Sequence, residues 1–309
     1  MSAISIEHEL GRPITVTDLE GRFRRNYNRV NFMFKHELAG NSLFELESLV
    51  ELTRRMPDHG DHYWATGEVP VNNTWSDGTI GRQSLRDTII NIEHNNSTVV
   101  LRHTEQDPVF APVLQSVLTT IIELSGEQMR SDVKIGEVSI LVSSPARIAT
   151  YHMDSVTNFL LQITGDKWFH IFDQSDRTLV TNRELEDFFA FNRHRELVRN
   201  DRRDECVKHD LRAGYGVHVP TCAPHWTRNR EHVSVALSVN YELRSVERLE
   251  KLYRFNHRLR KLGLSPAAPN VSGWRDRIKL AAADGMAAMR VVGKQREGRP
   301  YQVWTPPAD

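Results

Sequence analysis

The sequence predicts a mainly β core, from about residue 97 to residue 242, with helical additions on both sides of it. Two observations support this fold class. Short runs of β-branched and apolar residues alternate with turn residues through the core, as in all-β domains. Outside it, apolar residues recur at intervals of three and four, the spacing of an amphipathic helix. We therefore expect an N-terminal helical buttress (1–96), a β core (97–242) and a C-terminal helical extension (243–309).

The N-terminal segment is expected to contain two helices. Ser42 and Glu45 have the spacing of a capping box, and the apolar stripe that follows them ends at Pro57, which cannot continue a helix. A second, shorter helix is expected over residues 85–92.

Within the core, most segments read as strands. The run at residues 97–101 is an early strand, and residues 135–142 form another before the polar stretch that follows. Helical spacing over residues 113–122 interrupts this pattern, as does a helical insertion at residues 184–191. The strongly charged residues 193–210 are expected to form a solvated loop.

His152 and Asp154 form the first candidate site. In an extended chain, residues two apart point to the same face. An imidazole and a carboxylate on one face supply two-thirds of a His/His/carboxylate metal site, which suits non-haem Fe(II) because several coordination positions stay open. The segments that follow, residues 159–163 and 167–172, are separated by the turn residues 164–166 and predict a β-hairpin.

The third ligand has two candidates in a second stretch, residues 214–229. His218 and His225 both lie there, before an apolar and β-branched strand at residues 233–240. Alternation along the strand would turn His218 towards one face, so the residues alone leave both histidines open.

These stretches resemble the JmjC branch of the cupin superfamily, the Fe(II)- and 2-oxoglutarate-dependent oxygenases. Similar proteins are the asparaginyl hydroxylase that acts on hypoxia-inducible factor and a set of bacterial cupin-like proteins. The resemblance implies a double-stranded β-helix, or jelly-roll, over residues 97–242. It implies that His152, Asp154 and His225 are the iron ligands, since His225 lies five residues after Pro220 in the matching turn. It then leaves His218 on the barrel wall.

The resemblance extends to residues that bind 2-oxoglutarate. Lys167, fifteen residues after His152, matches the lysine that binds the distal carboxylate of this co-substrate. Asn158 and Asn240 match two asparagines that line it. A lysine partner has a physical reason, because burying that carboxylate unpaired would cost several kcal/mol.

One position departs from the pattern. The hydroxylase has a threonine three residues before its first ligand, where this chain has Ala149. Thr150 is the neighbouring candidate for co-substrate binding, but it lies on the other face of an extended strand. The second hydrogen bond to the distal carboxylate must come from elsewhere or be missing.

The resemblance implies an Fe(II)- and 2-oxoglutarate-dependent dioxygenase that uses O2 and releases succinate and CO2. A peptide or protein side chain is the first choice of substrate, and a small metabolite or natural-product intermediate is the alternative; fold analogy cannot choose between them. Two other classes stay open. One is a metal cupin that is not an oxygenase, such as a zinc hydrolase or isomerase, and the other is a ligand-sensing regulator.

Composition limits the partners and the compartment. Lys plus Arg and Asp plus Glu both number 40 in the 309 residues, so no overall field selects nucleic acid or an anionic membrane. No stretch approaches the roughly 18 apolar residues of a membrane helix, and the first residues lack a secretion signal. Cys206 and Cys222 make no disulfide framework, which favours a reduced, cytoplasmic compartment. Cys222 is expected to be a buried thiol rather than a ligand.

The C-terminal extension is basic. Residues 244–309 contain 14 Lys and Arg against 6 Asp and Glu. They could attract an acidic peptide or nucleic acid, but an exposed helix face is the favoured interpretation. A homodimer through these helices is a further hypothesis.

Overall fold

The computed structural model describes residues 16–18, 21–56, 63–66, 71, 79–80, 84–191, 200–291 and 304–306. Its strands are β1 (Val16–Thr17), β2 (Phe32–His36), β3 (Tyr63–Thr66), β4 (Thr79–Ile80), β5 (Ser97–Leu101), β6 (Val133–Ser143), β7 (Ile148–His152), β8 (Thr157–Thr164), β9 (Asp166–Ile171), β10 (Val207–Arg212), β11 (Tyr215–Val219), β12 (His225–Asn229) and β13 (Ser234–Leu243). Its α-helices are α1 (Arg22–Asn26), α2 (Leu46–Arg55), α3 (Leu85–Ile90), α4 (Ala111–Ser125), α5 (Glu127–Asp132), α6 (Asn182–Phe191), α7 (Arg244–Lys261) and α8 (Gly273–Val291).

The strands form two antiparallel sheets. The larger sheet has the order β1-β2-β11-β8-β13-β6-β5-β3-β4, and the smaller one has the order β10-β9-β12-β7. Apolar side chains from both sheets pack together, among them Leu160 and Ala236 from the larger sheet and Phe169 and Ile171 from the smaller. Two antiparallel sheets packed around a shared interior are the arrangement expected for the double-stranded β-helix.

The larger sheet is also covered on its other face. Phe159 and Leu161 of β8 point away from the interior and pack in one cluster with Phe23 of α1 and with Leu114 and Leu118 of α4. Burial on both faces explains why β8 reads as a nearly continuous apolar run rather than an alternating one. Each such fully buried side chain stabilises the fold by about 1.5–3 kcal/mol.

The smaller sheet alternates instead. In β9, Lys167, Phe169 and Ile171 are buried, while Trp168 and His170 are partly exposed. A period of two places the first three on the inner face, towards the larger sheet. This alternation fixes which polar side chains reach the interior.

The predicted β-hairpin at residues 159–172 is wrong. β8 pairs with β11 and β13, whereas β9 pairs with β10 and β12, so the two strands belong to different sheets. Gly165 between them has φ of 71°, and a Cβ added there would lie 2.3 Å from the carbonyl oxygen of Val233. The chain turns a corner at this glycine, which local turn signals cannot distinguish from a hairpin.

The N-terminal region contains more than helices. Strands β1 to β4 belong to the larger sheet, in which β1 and β2 form one edge beside β11, and β3 and β4 form the other. The expected helix after Ser42 begins only at Leu46 as α2, because residues 42–44 form a separate helical turn capped by Asn41. The division of the chain at residue 97 stays a prediction.

Several helices agree with the sequence predictions. Helix α4 contains residues 113–122, α6 contains residues 184–191, and α7 and α8 follow the β core. The charged segment 193–210 differs, since it ends in β10; residues 192–199 lie outside the described part of the chain. Among the described helices, none is both long and apolar enough to cross a membrane. Cys206 and Cys222 form no disulfide.

Candidate metal centre and its cavity

The structure brings His152, Asp154 and His225 together. His152 ends β7, Asp154 follows it in the adjoining loop, and His225 begins β12, where it pairs directly with His152. Asp154 Oδ2 lies 3.8 Å from His152 Nε2 and 3.9 Å from His225 Nε2. One candidate ligand atom from each residue lies within 4.8 Å of the others. Two imidazoles and a carboxylate at this separation fit one divalent cation.

Backbone carbonyls orient both imidazole rings. His152 Nδ1 lies 2.5 Å from the carbonyl oxygen of Thr150, and His225 Nδ1 lies 2.9 Å from that of Ala223. A carbonyl only accepts hydrogen bonds, so each Nδ1 must donate. That tautomer leaves the Nε2 lone pair on the side of Asp154, where a metal ligand needs it.

A cavity of about 720 Å³ lies between the two sheets and contains this triad. Its volume is in the range of small-molecule and cofactor sites. The side chains of β6, β7, β8, β9, β12 and β13 line it. Its polar lining residues include Ser143, Arg147, Asn158, Lys167, Thr227, Asn229, Ser238 and Asn240.

Lys167 is the unusual group in this cavity. Its side chain is 4% exposed, and burial lowers the pKa of its ammonium to about 8. Among the residues that the structure describes, none forms a hydrogen bond or ion pair with its Nζ. A buried unpaired charge is unfavourable by several kcal/mol. The cavity is therefore suited to an anion that pairs with Lys167.

Asn158 and Asn240 meet inside the cavity. They are direct cross-strand partners in β8 and β13, and Asn158 Nδ2 donates to Asn240 Oδ1 at 2.8 Å and to Ser238 Oγ at 2.8 Å. These bonds hold the two amides side by side in the same cavity as the triad. The sequence identified both asparagines but not Ser238, which bridges them.

Ala149 and Thr150, the two residues at the position where the family has a threonine, have different surroundings in the structure. A register irregularity between β7 and β12 sets Ala149, not Thr150, opposite Thr227. Ala149 and Thr227 line the cavity, whereas Thr150 is buried outside its lining. Thr150 Oγ1 is buried and has no hydrogen-bond partner in the described ranges of the chain.

His218 lies in the wall between the larger sheet and the N-terminal region. Its Nε2 accepts from the backbone N–H of Asn28 at 3.0 Å, its Nδ1 lies 3.0 Å from the carbonyl oxygen of Asn158, and its ring stacks on Phe159. Burial lowers the pKa of His218 to about 3, so it is neutral. It does not line the cavity, which leaves His225 as the third member of the cluster.

The cavity lining also includes acidic groups that the sequence analysis missed. Glu105, Glu137 and Glu242 line it together with His103, whose Nδ1 lies 3.9 Å from Glu105 Oε1 and 4.0 Å from Glu137 Oε2. Burial raises the pKa of Glu105 to about 7, although the N–H of Val138 donates to it. These residues come from distant strands and loops, so no local spacing marks them.

The sequence matches no protein-family model, and no curated protein matches it. Its structure resembles that of Escherichia coli YcfD, with a TM-score of 0.53 and 14% sequence identity over 96% of this chain and 78% of the other. The fold is shared with YcfD. The predicted double-stranded β-helix is thereby confirmed.

Two further E. coli YcfD structures are less similar. One, described as a ribosomal oxygenase, has a TM-score of 0.46 and 12% identity over 92% of this chain and 70% of the other. Another, a ribosomal oxygenase in complex with cobalt and 2-oxoglutarate, has a TM-score of 0.43 and 15% identity over 87% and 65%.

Proposed function

We propose that this protein is an Fe(II)- and 2-oxoglutarate-dependent dioxygenase that hydroxylates an unactivated carbon, with a protein or peptide side chain as substrate. The principal support is one arrangement: a His/Asp/His cluster lines the same cavity as a buried lysine that has no partner among the described residues. A metal site alone would suit many metal-binding proteins. The ammonium of Lys167 favours an anionic small molecule that lies beside the metal. A dicarboxylic 2-oxo acid can bind the metal at one end and the ammonium at the other.

The donor set fits the metal. His152, Asp154 and His225 would hold it through two imidazole nitrogens and a carboxylate oxygen, a set that leaves positions open for other ligands. Iron bound there would supply the redox chemistry in which one atom of O2 enters a substrate C–H bond and the other enters succinate, as 2-oxoglutarate loses CO2. Zinc would fit the same donors, so the metal must be determined by experiment.

The chain's own residues would bind 2-oxoglutarate and orient it beside the metal. Lys167 pairs with the distal carboxylate of 2-oxoglutarate, and this pairing offsets the cost of burying the ammonium. Asn158 of β8 and Asn240 of β13 present amide groups to the cavity that contains the triad, where they can orient the oxo-acid end of the co-substrate. The two sheets would enclose the bound molecule from both sides.

The substrate class rests on the fold relationship. YcfD is described as a ribosomal oxygenase, which makes a protein side chain our first choice here. A free metabolite is the alternative, and it needs the same triad and co-substrate site. The two substrate classes are therefore separated by turnover alone.

The deciding experiment is anaerobic reconstitution with Fe(II), followed by exposure to O2 and 2-oxoglutarate in the presence of peptide and metabolite panels. We expect succinate release that rises with a peptide substrate, accompanied by a mass increase of one oxygen atom in that peptide. Stimulation by metabolites alone would move the substrate to the second class. Absence of succinate in every reaction, with metal bound, would favour a cupin that is not an oxygenase.

A further inference from the structure

We propose that Thr227 is a co-substrate-binding residue, whose hydroxyl donates to the distal carboxylate of 2-oxoglutarate beside Lys167. The inference rests on the proposed function and adds a second donor to the carboxylate subsite. It assigns to β12 the hydrogen bond that Ala149 cannot make from β7.

Strand register places Thr227 at this position. β12 runs between β9 and β7, and Thr227 is directly opposite Phe169 on one side and Ala149 on the other. Asn229 is the partner of Lys167, so Thr227 and Lys167 are diagonal neighbours. Diagonal residues on one face lie roughly 7–8 Å apart, within reach of a long side chain. A carboxylate between the ammonium and the hydroxyl could accept from both.

The Thr227 hydroxyl is available to a ligand in the cavity. Thr227 is 7% exposed and lines the cavity, and no residue in the described part of the chain forms a hydrogen bond with its side chain. A hydroxyl and an ammonium that line one cavity, neither with a partner among the described residues, suit one shared ligand with acceptor oxygens, and a carboxylate has two.

Neighbouring polar groups are already committed to one another. Asn229 Nδ2 donates to Ser143 Oγ at 2.8 Å and to the carbonyl oxygen of Ser144 at 2.8 Å. Arg147 donates to Thr98 Oγ1 at 3.1 Å and to the carbonyl oxygen of Asn96 at 2.9 Å. These hydrogen bonds hold Asn229 and Arg147 in the cavity wall. Thr227 and Lys167 differ because their side chains have no such partner among the described residues.

The register irregularity between β7 and β12 explains why the hydroxyl donor would come from β12 and not from β7. It turns Thr150 away from the cavity and leaves the methyl group of Ala149 facing Thr227 across the strand pair. A threonine at position 149 would place a second hydroxyl beside the same subsite. Exchange of the hydroxyl between the two strands is therefore a direct test of the assignment.

The experiment is calorimetric titration of 2-oxoglutarate into anaerobic, Co(II)-loaded protein, which measures binding without turnover. Thr227→Val keeps the shape of the side chain and removes the hydroxyl, so we expect affinity for 2-oxoglutarate to fall about 10- to 100-fold. Thr227→Ser should stay close to wild type. In the Thr227→Val background, Ala149→Thr should restore part of the lost affinity.

Pyruvate provides the matched control ligand, since it has the 2-oxo acid group but no distal carboxylate. Its affinity should be the same in wild type and Thr227→Val. Equal losses for both ligands would mean that Thr227 supports the metal site instead, and the inference would be wrong. If Thr227→Val does not fold, Thr227→Ala removes the same hydroxyl and takes its place.

Failure of the inference is distinct from failure of the proposed function. If wild type binds Co(II) but not 2-oxoglutarate, the proposed function is wrong and the inference falls with it. If wild type binds 2-oxoglutarate and Lys167→Met abolishes binding while Thr227→Val retains it, only the role of Thr227 is refuted.

Discussion

His152 and His225 face each other as a direct cross-strand pair of β7 and β12, with ring centroids 4.2 Å apart. They are more than seventy positions apart in the chain, and sheet register alone brings them together. The carboxylate of Asp154 completes the cluster from the loop that leaves β7. The metal site is thus built at the end of one strand pair, and its geometry depends on that register.

Replacing one of these histidines should abolish tight metal binding. His225→Ala removes one of three donors, so we expect affinity for Co(II) or Fe(II) to fall by more than the roughly 10- to 100-fold that loss of an outer-shell partner costs. Titration followed by the visible spectrum of Co(II) measures the change. His232→Ala, at an exposed histidine, is the control. Equal affinity in the two variants would contradict the assignment of His225.

Lys167 should determine the affinity for 2-oxoglutarate without affecting the affinity for the metal. Lys167→Met keeps much of the side-chain volume and removes the charge that would pair with the distal carboxylate. We expect the 2-oxoglutarate concentration needed for half-maximal succinate release to rise about 100-fold, the loss typical of a charge-assisted hydrogen bond. Metal affinity should stay unchanged. A variant with wild-type dependence on 2-oxoglutarate would rule out this role.

The same lysine should make stability depend on pH. Its pKa is about 8 in the folded chain and 10.5 in the unfolded one, so the unfolded state binds more protons between these values and stability rises with pH there. The destabilisation is fully present below pH 8 and disappears above pH 10.5; it amounts to about 3 kcal/mol at most. Urea unfolding of the ligand-free protein at a series of pH values measures it.

Lys167→Met provides the comparison for that titration. The variant has no ammonium to bury, so it should be more stable than wild type at pH 7, and the difference should shrink as the pH rises to 10. Saturating 2-oxoglutarate should also reduce it. A difference that stays constant with pH would mean that Lys167 is not buried in its charged form.

The sequence predicted the site residues that match the family resemblance and missed those that sheet register alone adds. The spacing of His152 and Asp154 along one extended stretch marks that pair, whereas Lys167 was identified through the resemblance. Thr227 and Ala149 face each other only because of an irregularity between β7 and β12, which has no signal in the sequence. Glu105 and His103 reach the cavity from the segment that follows β5, far from the triad along the chain.

The same distinction applies to the fold. Helices such as α4 were predicted from periodicity, which is a property of one segment. Strand β2 alternates between buried and less buried residues from Phe32 to His36, but its place beside β11 depends on a contact with residues 215–218. Pairing between two strands so far apart in the chain cannot be predicted from the sequence of either strand alone.

Gly165 should be essential at the corner between the sheets. Its φ of 71° is unfavourable for alanine by about 1–2 kcal/mol, and a Cβ would also lie 2.3 Å from the backbone oxygen of Val233. Gly165→Ala should therefore lower the free energy of unfolding by more than the conformational cost.

Gly263→Ala is the matched control, because Gly263 has φ of 81° and no atom within 4 Å of an added Cβ. Displacing a backbone carbonyl adds an overpacking cost of about 1–3 kcal/mol, which should appear as the difference between the two variants in urea unfolding. Equal losses would mean that the chain relaxes at the corner and that close approach to Val233 does not fix the turn from β8 to β9.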